Sequence, residues 1–578
     1  MLQTTLPRHP CNPLILSILT ITLLHSLPGY AAPDAGQTLR ELQQLPETEP
    51  PRTEPELEIS PELNPELNTT PPVDEANKPS APAEDIRFMV KALRISGNSE
   101  IPTAELEALV ADMTGAEHNL AELTVAAARI TAHYRARGYV VARAYLPAQD
   151  IIDGVVSINI IEGHIATHRI NNHSRLSDQR VEDFLERIPV GDVIKTGQID
   201  RTLMLLSDTP GVGETRASLQ PGASVGSSDL LVELKPGAAY SGNVSLDNYG
   251  NRYIGTYRLG GTLNINSPFK YGDQFNISAL ASDRDLAYGR VAYQFPIGSD
   301  GLRLGTAYAT TRYRLGEEFA GLLAHGKAAS GSVFAAYPFI RSQQSNLSGN
   351  FIWEQKRLTD NVDFTGMITV KRTRLMNLGV SGNHRDTFAG GALNSFDLSL
   401  ALGRLNIESP LALAQDNNTI RSNGAFTRLS YHAERLQRLS ASNQLLFALS
   451  GQQANKNLDS SEKFALGGAN AVRAYPQGEG IGDQGYLFNL ELRHNLTDAV
   501  QGTLFYDTGS ITVNRNPFDP TAANSLSLSG AGAGINADLA GTLIKFALAW
   551  RTGGTLPASI PASAVHNPSV WLQAIEQF

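Results

Sequence analysis

Tyr257-Arg258-Leu259-Gly260-Gly261-Thr262-Leu263-Asn264-Ile265 sets the reading of the whole chain. Apart from Gly261, every second residue is large and apolar and those between are polar or small, the period of a β-strand with one apolar face. The pattern returns in Val291-x-Tyr293-x-Phe295, Phe396-x-Leu398-x-Leu400-x-Leu402, Tyr486-x-Phe488-x-Leu490-x-Leu492 and Ile544-x-Phe546-x-Leu548-x-Trp550. Helical periodicity is absent from residue 240 onward. Alternation alone fits a soluble sandwich as well as a membrane barrel. Three facts favour the barrel: one unbroken run to residue 578, aromatic residues at strand ends, and a secreted chain without disulfides. Residues 239–578 are therefore expected to form a transmembrane β-barrel of about 16 antiparallel strands, each of roughly 10 residues, apolar side chains facing lipid and polar ones the lumen.

Upstream, from residue 86, mixed helix and strand replaces alternation and occurs twice. Val90-Lys91-Ala92-Leu93-Arg94-Ile95-Ser96-Gly97 opens the first unit and His168-Arg169-Ile170-Asn171-Asn172 the second. Gly138, Arg143 and Gly163 match Gly211, Arg216 and Gly237, a period of about 74 residues. Two small tandem α+β domains are expected, over residues 86–163 and 164–238.

Residues 46–85 hold ten prolines, and eleven carboxylates against Arg52 and Lys78, a net of -9 within the chain's total of -10. The acidic balance thus belongs to this segment, and no basic field marks a nucleic-acid partner. High charge with proline and no aromatic residue cannot bury enough surface to fold, so the segment reads as a flexible linker. Before it, residues 32–45 place Leu39, Leu42 and Leu45 on one narrow apolar stripe of a short helix that needs something to pack against. Residues 1–31 read as a secretory signal. Arg8 and His9 precede an apolar run over 13–27, and small residues follow with cleavage near Ala31. The single cysteine, Cys11, lies in this signal, so the mature chain has no thiol chemistry. No other segment approaches the roughly 20 apolar residues of a membrane helix.

Motifs for catalysis, metals or cofactors are weak, and no enzyme activity or cofactor is expected. Gly321-x-x-x-x-Gly326-Lys327-Ala328 lacks the hydroxyl that a phosphate loop offers to magnesium. His164, His168 and His173 have no fourth ligand and read as solvated. Gly530-Ala531-Gly532-Ala533-Gly534 is a small-residue strand in a crowded barrel.

One pair stands apart. Gly467-Gly468-Ala469-Asn470-Ala471-Val472-Arg473-Ala474-Tyr475-Pro476-Gln477-Gly478-Glu479-Gly480 is far richer in glycine than a hairpin needs, with one arginine in its core. In Phe505-Tyr506-Asp507-Thr508-Gly509, alternation puts Phe505, Asp507 and Gly509 on one face. A charge facing lipid is costly, so that face is the lumen. A loop folded back into the barrel would bring Arg473 to Asp507 as a bidentate pair.

Val472-Arg473-Ala474-Tyr475, Phe505-x-Asp507-x-Gly509, the tandem repeat and the barrel together resemble the transporters of two-partner secretion, the hemolysin secretion/activation family of the wider barrel-assembly superfamily. The resemblance implies that residues 32–45 are a plug helix, 46–85 its linker, and 86–163 and 164–238 two periplasmic POTRA domains. It also implies that Arg473 lies on the sixth extracellular loop and pairs with Asp507 in the lumen. Ala474 stands where the family has glycine, which bears on the turn of that loop. Terminal Phe578 resembles the signal read by the barrel-assembly machinery, though Glu576 stands where an aromatic is usual. The implied function is export of one large unfolded exoprotein, of adhesin or hemolysin type, across the bacterial outer membrane after capture of its N-terminal secretion domain. A barrel-assembly insertase and a passive porin are the rival readings. The proline-rich linker and only two POTRA domains speak against the first, and the presence of tandem POTRA domains against the second.

Overall fold

The computed structural model describes residues 33–43, 56–59 and 86–578. The expected signal with Ala31, most of the linker, and Leu45 of the apolar stripe lie outside the described residues. Sixteen strands close into one barrel, each antiparallel to its neighbours. The first strand, Tyr240–Asp247, pairs with the last, Ser569–Gln577, so both ends of the barrel segment leave on the same side. Phe578 completes this seam, exchanging backbone hydrogen bonds with Gly242 at 2.9 and 3.1 Å.

Exposure separates membrane barrel from soluble sandwich. Leu259, Val291, Phe396, Leu398, Leu400, Tyr486, Leu492, Phe546 and Trp550 are all exposed on the outer wall. A soluble sandwich turns this face inward, whereas a barrel in lipid turns it outward. Tyr240, Phe269, Tyr271, Phe339 and Phe578 form an exposed aromatic belt at the end where the α+β domains attach.

Strand length departs from the expected ten residues. Five consecutive strands, Ala324–Arg341, Ser345–Val362, Met367–Asp386, Ala392–Ile407 and Gly424–Arg438, run to between 15 and 20 residues. Their far ends carry outward, exposed Arg357, Arg374 and Arg404. A basic residue facing mid-bilayer costs about 2–4 kcal/mol, so these arginines mark where the wall has left the lipid. The ladder hydrogen bonds continue there without an apolar pattern to announce them.

The two preceding domains share one topology. In the first, strands Ala92–Ser96, Val155–Ile161 and Arg143–Tyr145 lie side by side in that order. In the second, the equivalent order is His164–Asn172, Ser227–Pro236 and Val212–Pro221. Each has two helices between its first and second strands: Thr103–Leu109 and Leu120–Ala136, then Asp178–Leu185 and Thr196–Ser207. Asn119 and Ser177 cap two of these helices by accepting from Glu122 N and Arg180 N. The matched Gly138 and Gly211 stand in corresponding turns at φ +90 and +92, a conformation that favours glycine.

One piece of the expected linker is structured. Glu56–Ile59 forms a parallel strand on the Val212–Pro221 edge of the second domain, with Glu58 opposite Ser218 and Ile59 opposite Leu219. Ile59 also packs on that domain's core. Glu and Pro set the composition of the linker, but Leu57 and Ile59 alternate with acids, which is enough for a short edge strand.

The second domain is seated on the barrel turns. The buried Arg180 guanidinium lies 4.8 Å from the Phe184 ring and 4.7 Å from the Tyr271 ring, and donates to Gly298 O at 2.6 Å. Arg341 donates to both carboxylate oxygens of Asp208 at 2.6 and 2.9 Å.

Candidate functional site

The loop between the strands Asn443–Ala454 and Gln484–Asn495 folds back into the lumen. A two-residue ladder, Phe464–Ala465 against Ile481–Gly482, closes its neck. Within it Leu466 N donates to Gly480 O, Gly467 N to Glu479 O and Val472 N to Leu466 O, at 2.8 to 3.0 Å. These bonds hold the loop as a compact hairpin, and its tip carries Arg473 inward.

Arg473 and Asp507 meet. Nε donates to Oδ2 and Nη2 to Oδ1, both at 2.8 Å, and the Arg473 backbone N–H adds a third bond at 3.1 Å. Nη1 donates to Glu491 at 2.8 Å. The guanidinium also lies 3.4 Å from the centre of the Phe505 ring. Asp507 is fully buried, so its charge depends on these donors and on Asn489 Nδ2, which donates at 2.8 Å. The last strand grips the loop as well: Trp571 Nε1 donates to Arg473 O at 2.6 Å and Ser569 Oγ to Ala474 O at 3.0 Å. Val472, Ala474 and Tyr475 are buried against Leu466, Leu487, Phe505, Ile511 and Leu528. Tyr475 OH donates to Thr555 O at 2.9 Å.

Each residue of Phe505-x-Asp507-x-Gly509 has a distinct task. Phe505 supplies the ring, Asp507 the carboxylate, and Gly509 the room: a Cβ there would come within 2.5 Å of Leu466 Cδ1. The glycines of Gly530-Ala531-Gly532 line the same space. A Cβ on Gly530 would lie 2.4 Å from Ala474 Cβ, and one on Gly532 would lie 2.3 Å from Phe505 Cζ. Ala474 adopts an ordinary negative φ, and its methyl sits over Gly530. Asn489, Glu491, Trp571 and Gly530 were not among the sequence candidates. Asn489 and Glu491 fall on the inward parity of the Tyr486–Leu492 alternation, a signal strong enough to have found them.

A second element fills the lumen. Helix Ala35–Gln43 lies inside the barrel, with Ala35, Leu39 and Leu42 buried against Leu280, Tyr288, Ala309, Tyr313, Ala328 and Leu358. Its ends are held by polar groups that the leucine stripe does not announce. Asp34 accepts from Gln37 N at 2.9 Å and faces Lys371 Nζ at 3.4 Å, and Lys371 also pairs with Asp459 at 2.6 Å. Ala35 N donates to Asp360 at 2.9 Å. Arg40 donates to Gln452 Oε1 at 2.9 Å and to Lys463 O, and Gln43 to Glu354 at 2.9 Å. Lys463 and Asp459 belong to the same inward loop as Arg473, so helix and loop touch directly. His164 and His168 lie along one strand with His173 just beyond it; among the described residues no His, Cys, Asp and Glu group is placed to hold a metal ion.

Residues 226–537, more than half of the chain, match the haemolysin secretion/activation protein family described as ShlB/FhaC/HecB. The chain belongs to this family. Residues 88–163 match its POTRA domain, of ShlB type. Two similar proteins are the heme/hemopexin transporter protein HuxB of Haemophilus influenzae, 28% identical with 97% of each chain covered, and the outer membrane transporter CdiB of Dickeya dadantii, 23% identical over 70% of this chain and 72% of that one. Among solved structures, CdiB from Escherichia coli superposes with a TM-score of 0.72 at 19% identity, covering 95% of this chain and all of that one. BamA from Haemophilus ducreyi lacking POTRA domains 1–3 gives 0.50 at 14% identity, covering 85% of this chain and 100% of that one, and shows a shared fold alone. The protein is thus a two-partner secretion transporter: an outer-membrane barrel with its POTRA domains in the periplasm, of a family that exports a partner exoprotein.

Proposed function

We propose that this transporter exports one large, unfolded exoprotein of adhesin or hemolysin type, captured in the periplasm through its N-terminal secretion domain. The observation that carries this reading is the strand Glu56–Ile59 on the Val212–Pro221 edge of the second POTRA domain. That edge accepts an added strand, and backbone pairing of this kind binds an extended polypeptide with little regard to its sequence. The strand already there belongs to the linker that leads to the plug helix. A cargo strand competing for the edge releases the linker, and with it the restraint on the helix. No reaction is part of this reading; refolding of the exoprotein outside the cell supplies direction. Outer-membrane lipid and the barrel-assembly machinery are the other partners we propose, the latter for insertion of the barrel itself.

The register provides the test. Glu58→Cys with Ser218→Cys places two thiols on opposed residues of a chain whose one cysteine, Cys11, falls in the expected signal. Oxidation is expected to stop the appearance of the transporter-dependent exoprotein in the medium, and reductant to restore it. Export that continues through the oxidised pair would rule out capture at this edge.

A further inference from the structure

Between the buried Arg258–Asp247 ion pair at its far end and the connection from the second POTRA domain, the lumen wall formed by Arg258–Asn266, Gln274–Ser282 and Ala287–Ile297 is mainly a ladder of amides and hydroxyls, with Arg290 a charged member. Asn276 Nδ2 donates to Asn264 Oδ1, Gln274 Nε2 to Asn266 Oδ1 and Gln294 Nε2 to Gln274 Oε1, at 2.7 to 2.8 Å. Thr262 and Ser278 add a hydroxyl pair at 3.3 Å, and Arg290 donates to Asn276 Oδ1 at 2.8 Å. Eight strands round the barrel, the facing wall is charged. Arg428, Glu491 and Arg493 point inward there and are engaged in ion pairs with one another, with Arg473 or with Glu462, and inward His432 lies 3.8 Å from Glu434.

The ladder starts where the strand-accepting edge ends. Asn266 Nδ2 donates to Ala238 O in the connection from the second POTRA domain, at 3.1 Å. The barrel turn after Asn266 is packed on that domain: Ser177 N donates to Lys270 O at 2.9 Å, and a Cβ on Gly211 would lie 2.7 Å from Ser267 Cβ. Gly211 immediately precedes Val212–Pro221. A strand held on that edge is therefore delivered to the foot of the ladder.

We propose that this wall is the polypeptide track: the surface along which the unfolded exoprotein slides, backbone against side-chain amides. The proposal rests on the export reading above. An amide both donates and accepts, so it meets a peptide N–H or C=O equally well in any sequence. Neutral hydrogen bonds are individually weak and interchangeable, whereas charge-assisted ones would hold oppositely charged residues of a passing chain. Conduction needs sites that favour entry yet release readily. A second amide run, Asn346 with Asn383 and Asn377 with Ser399, lies on strands Ser345–Val362, Met367–Asp386 and Ala392–Ile407, with an exposed Asp397 within it. Its foot is tied to Arg341 rather than to the accepting edge, which makes it the comparator.

Full-length transporter in planar bilayers, offered a long unstructured polypeptide of glycine, serine and asparagine on the POTRA side, tests the track. Blockade times are scored within open intervals, and open-pore conductance without polypeptide reports intact folding. Asn264→Ala with Gln274→Ala is expected to shorten blockades roughly fivefold to tenfold, the loss of two neutral hydrogen bonds. Asn377→Ala with Ser399→Ala should leave them unchanged. Equal shortening in both variants, or none in the first, overturns the proposal. Independently of pore opening, a photo-reactive benzoylphenylalanine replacing Asn264 should label the same polypeptide more strongly than one replacing Asn377 or His432; the reverse order overturns it. If cells carrying the unaltered transporter export no exoprotein, the export reading falls instead, whatever the bilayers show.

Discussion

Arg473 satisfies two carboxylates at once, and the consequences of removing it follow from burial. Its side chain is 15% exposed, Glu491 is 10% exposed and Asp507 is fully buried. Arg473→Ala leaves the buried Asp507 carboxylate without a cation and Glu491 with Arg493 alone, a loss of roughly 3 kcal/mol for a buried pair broken from one side. We expect the inward loop to lose its seat while the barrel, whose ladder is untouched, still inserts. Heat-modifiable migration should persist and exoprotein in the medium should disappear. Arg473→Lys keeps one charge but not the bidentate geometry, so partial export is expected. The contact between Ala474 and Gly530 yields a sharper residue-scale prediction. Gly530→Ala drives a methyl into Ala474 and should expose residues 455–483 to added protease. Ala474→Gly in the same chain should restore protection, a coupling that independent sites would not show.

At the scale of an element, helix Ala35–Gln43 is a marginal object. Nine residues are too few for stability in water, and burying Leu39 and Leu42 contributes about 1.5–3 kcal/mol each. Its polar ties to Asp360, Lys371, Gln452 and Glu354 position it rather than weld it in place. A helix held this weakly can be displaced by competing binding energy of ordinary size. Deleting residues 34–45 is expected to raise single-channel conductance in planar bilayers, and unchanged conductance would remove the plug role. Arg40→Ala breaks the ties to Gln452 and Lys463, and should give intermediate conductance with more frequent openings. Leu39 and Leu42 of the stripe were legible because period and apolarity coincide. The anchors were not, because Asp34, Arg40 and Gln43 on so short a segment look like ordinary solvated residues until the lumen supplies their partners.

At the scale of the molecule, three pieces far apart in sequence share one lumen: the N-terminal helix, the inward loop, and the glycine-lined wall from Phe505 to Gly534. Helix and loop touch through Arg40 and Lys463, and the loop touches the wall through Arg473 and Ala474. The second POTRA domain is fastened beneath them by Arg180 and by the Arg341–Asp208 pair, which keeps its accepting edge beside the pore mouth. Removing the helix is therefore expected to unload the loop directly, without any longer route between the two.

What the amino-acid order determined by itself is everything carried by a local period. Alternation marked the barrel from residue 240, and a repeat of about 74 residues marked two like domains. Arg473 and Asp507 were legible because a lone charge in an apolar setting needs a partner. Only the tertiary structure decided that Glu56–Ile59 is a strand, that Glu491 completes the pair, that Gly530 makes room for Ala474, and that an amide-rich and an ion-paired lumen wall stand opposite each other. Each of these joins segments tens to hundreds of residues apart. Nothing in a local pattern encodes such contacts, because they exist only once the barrel has closed and fixed which faces meet.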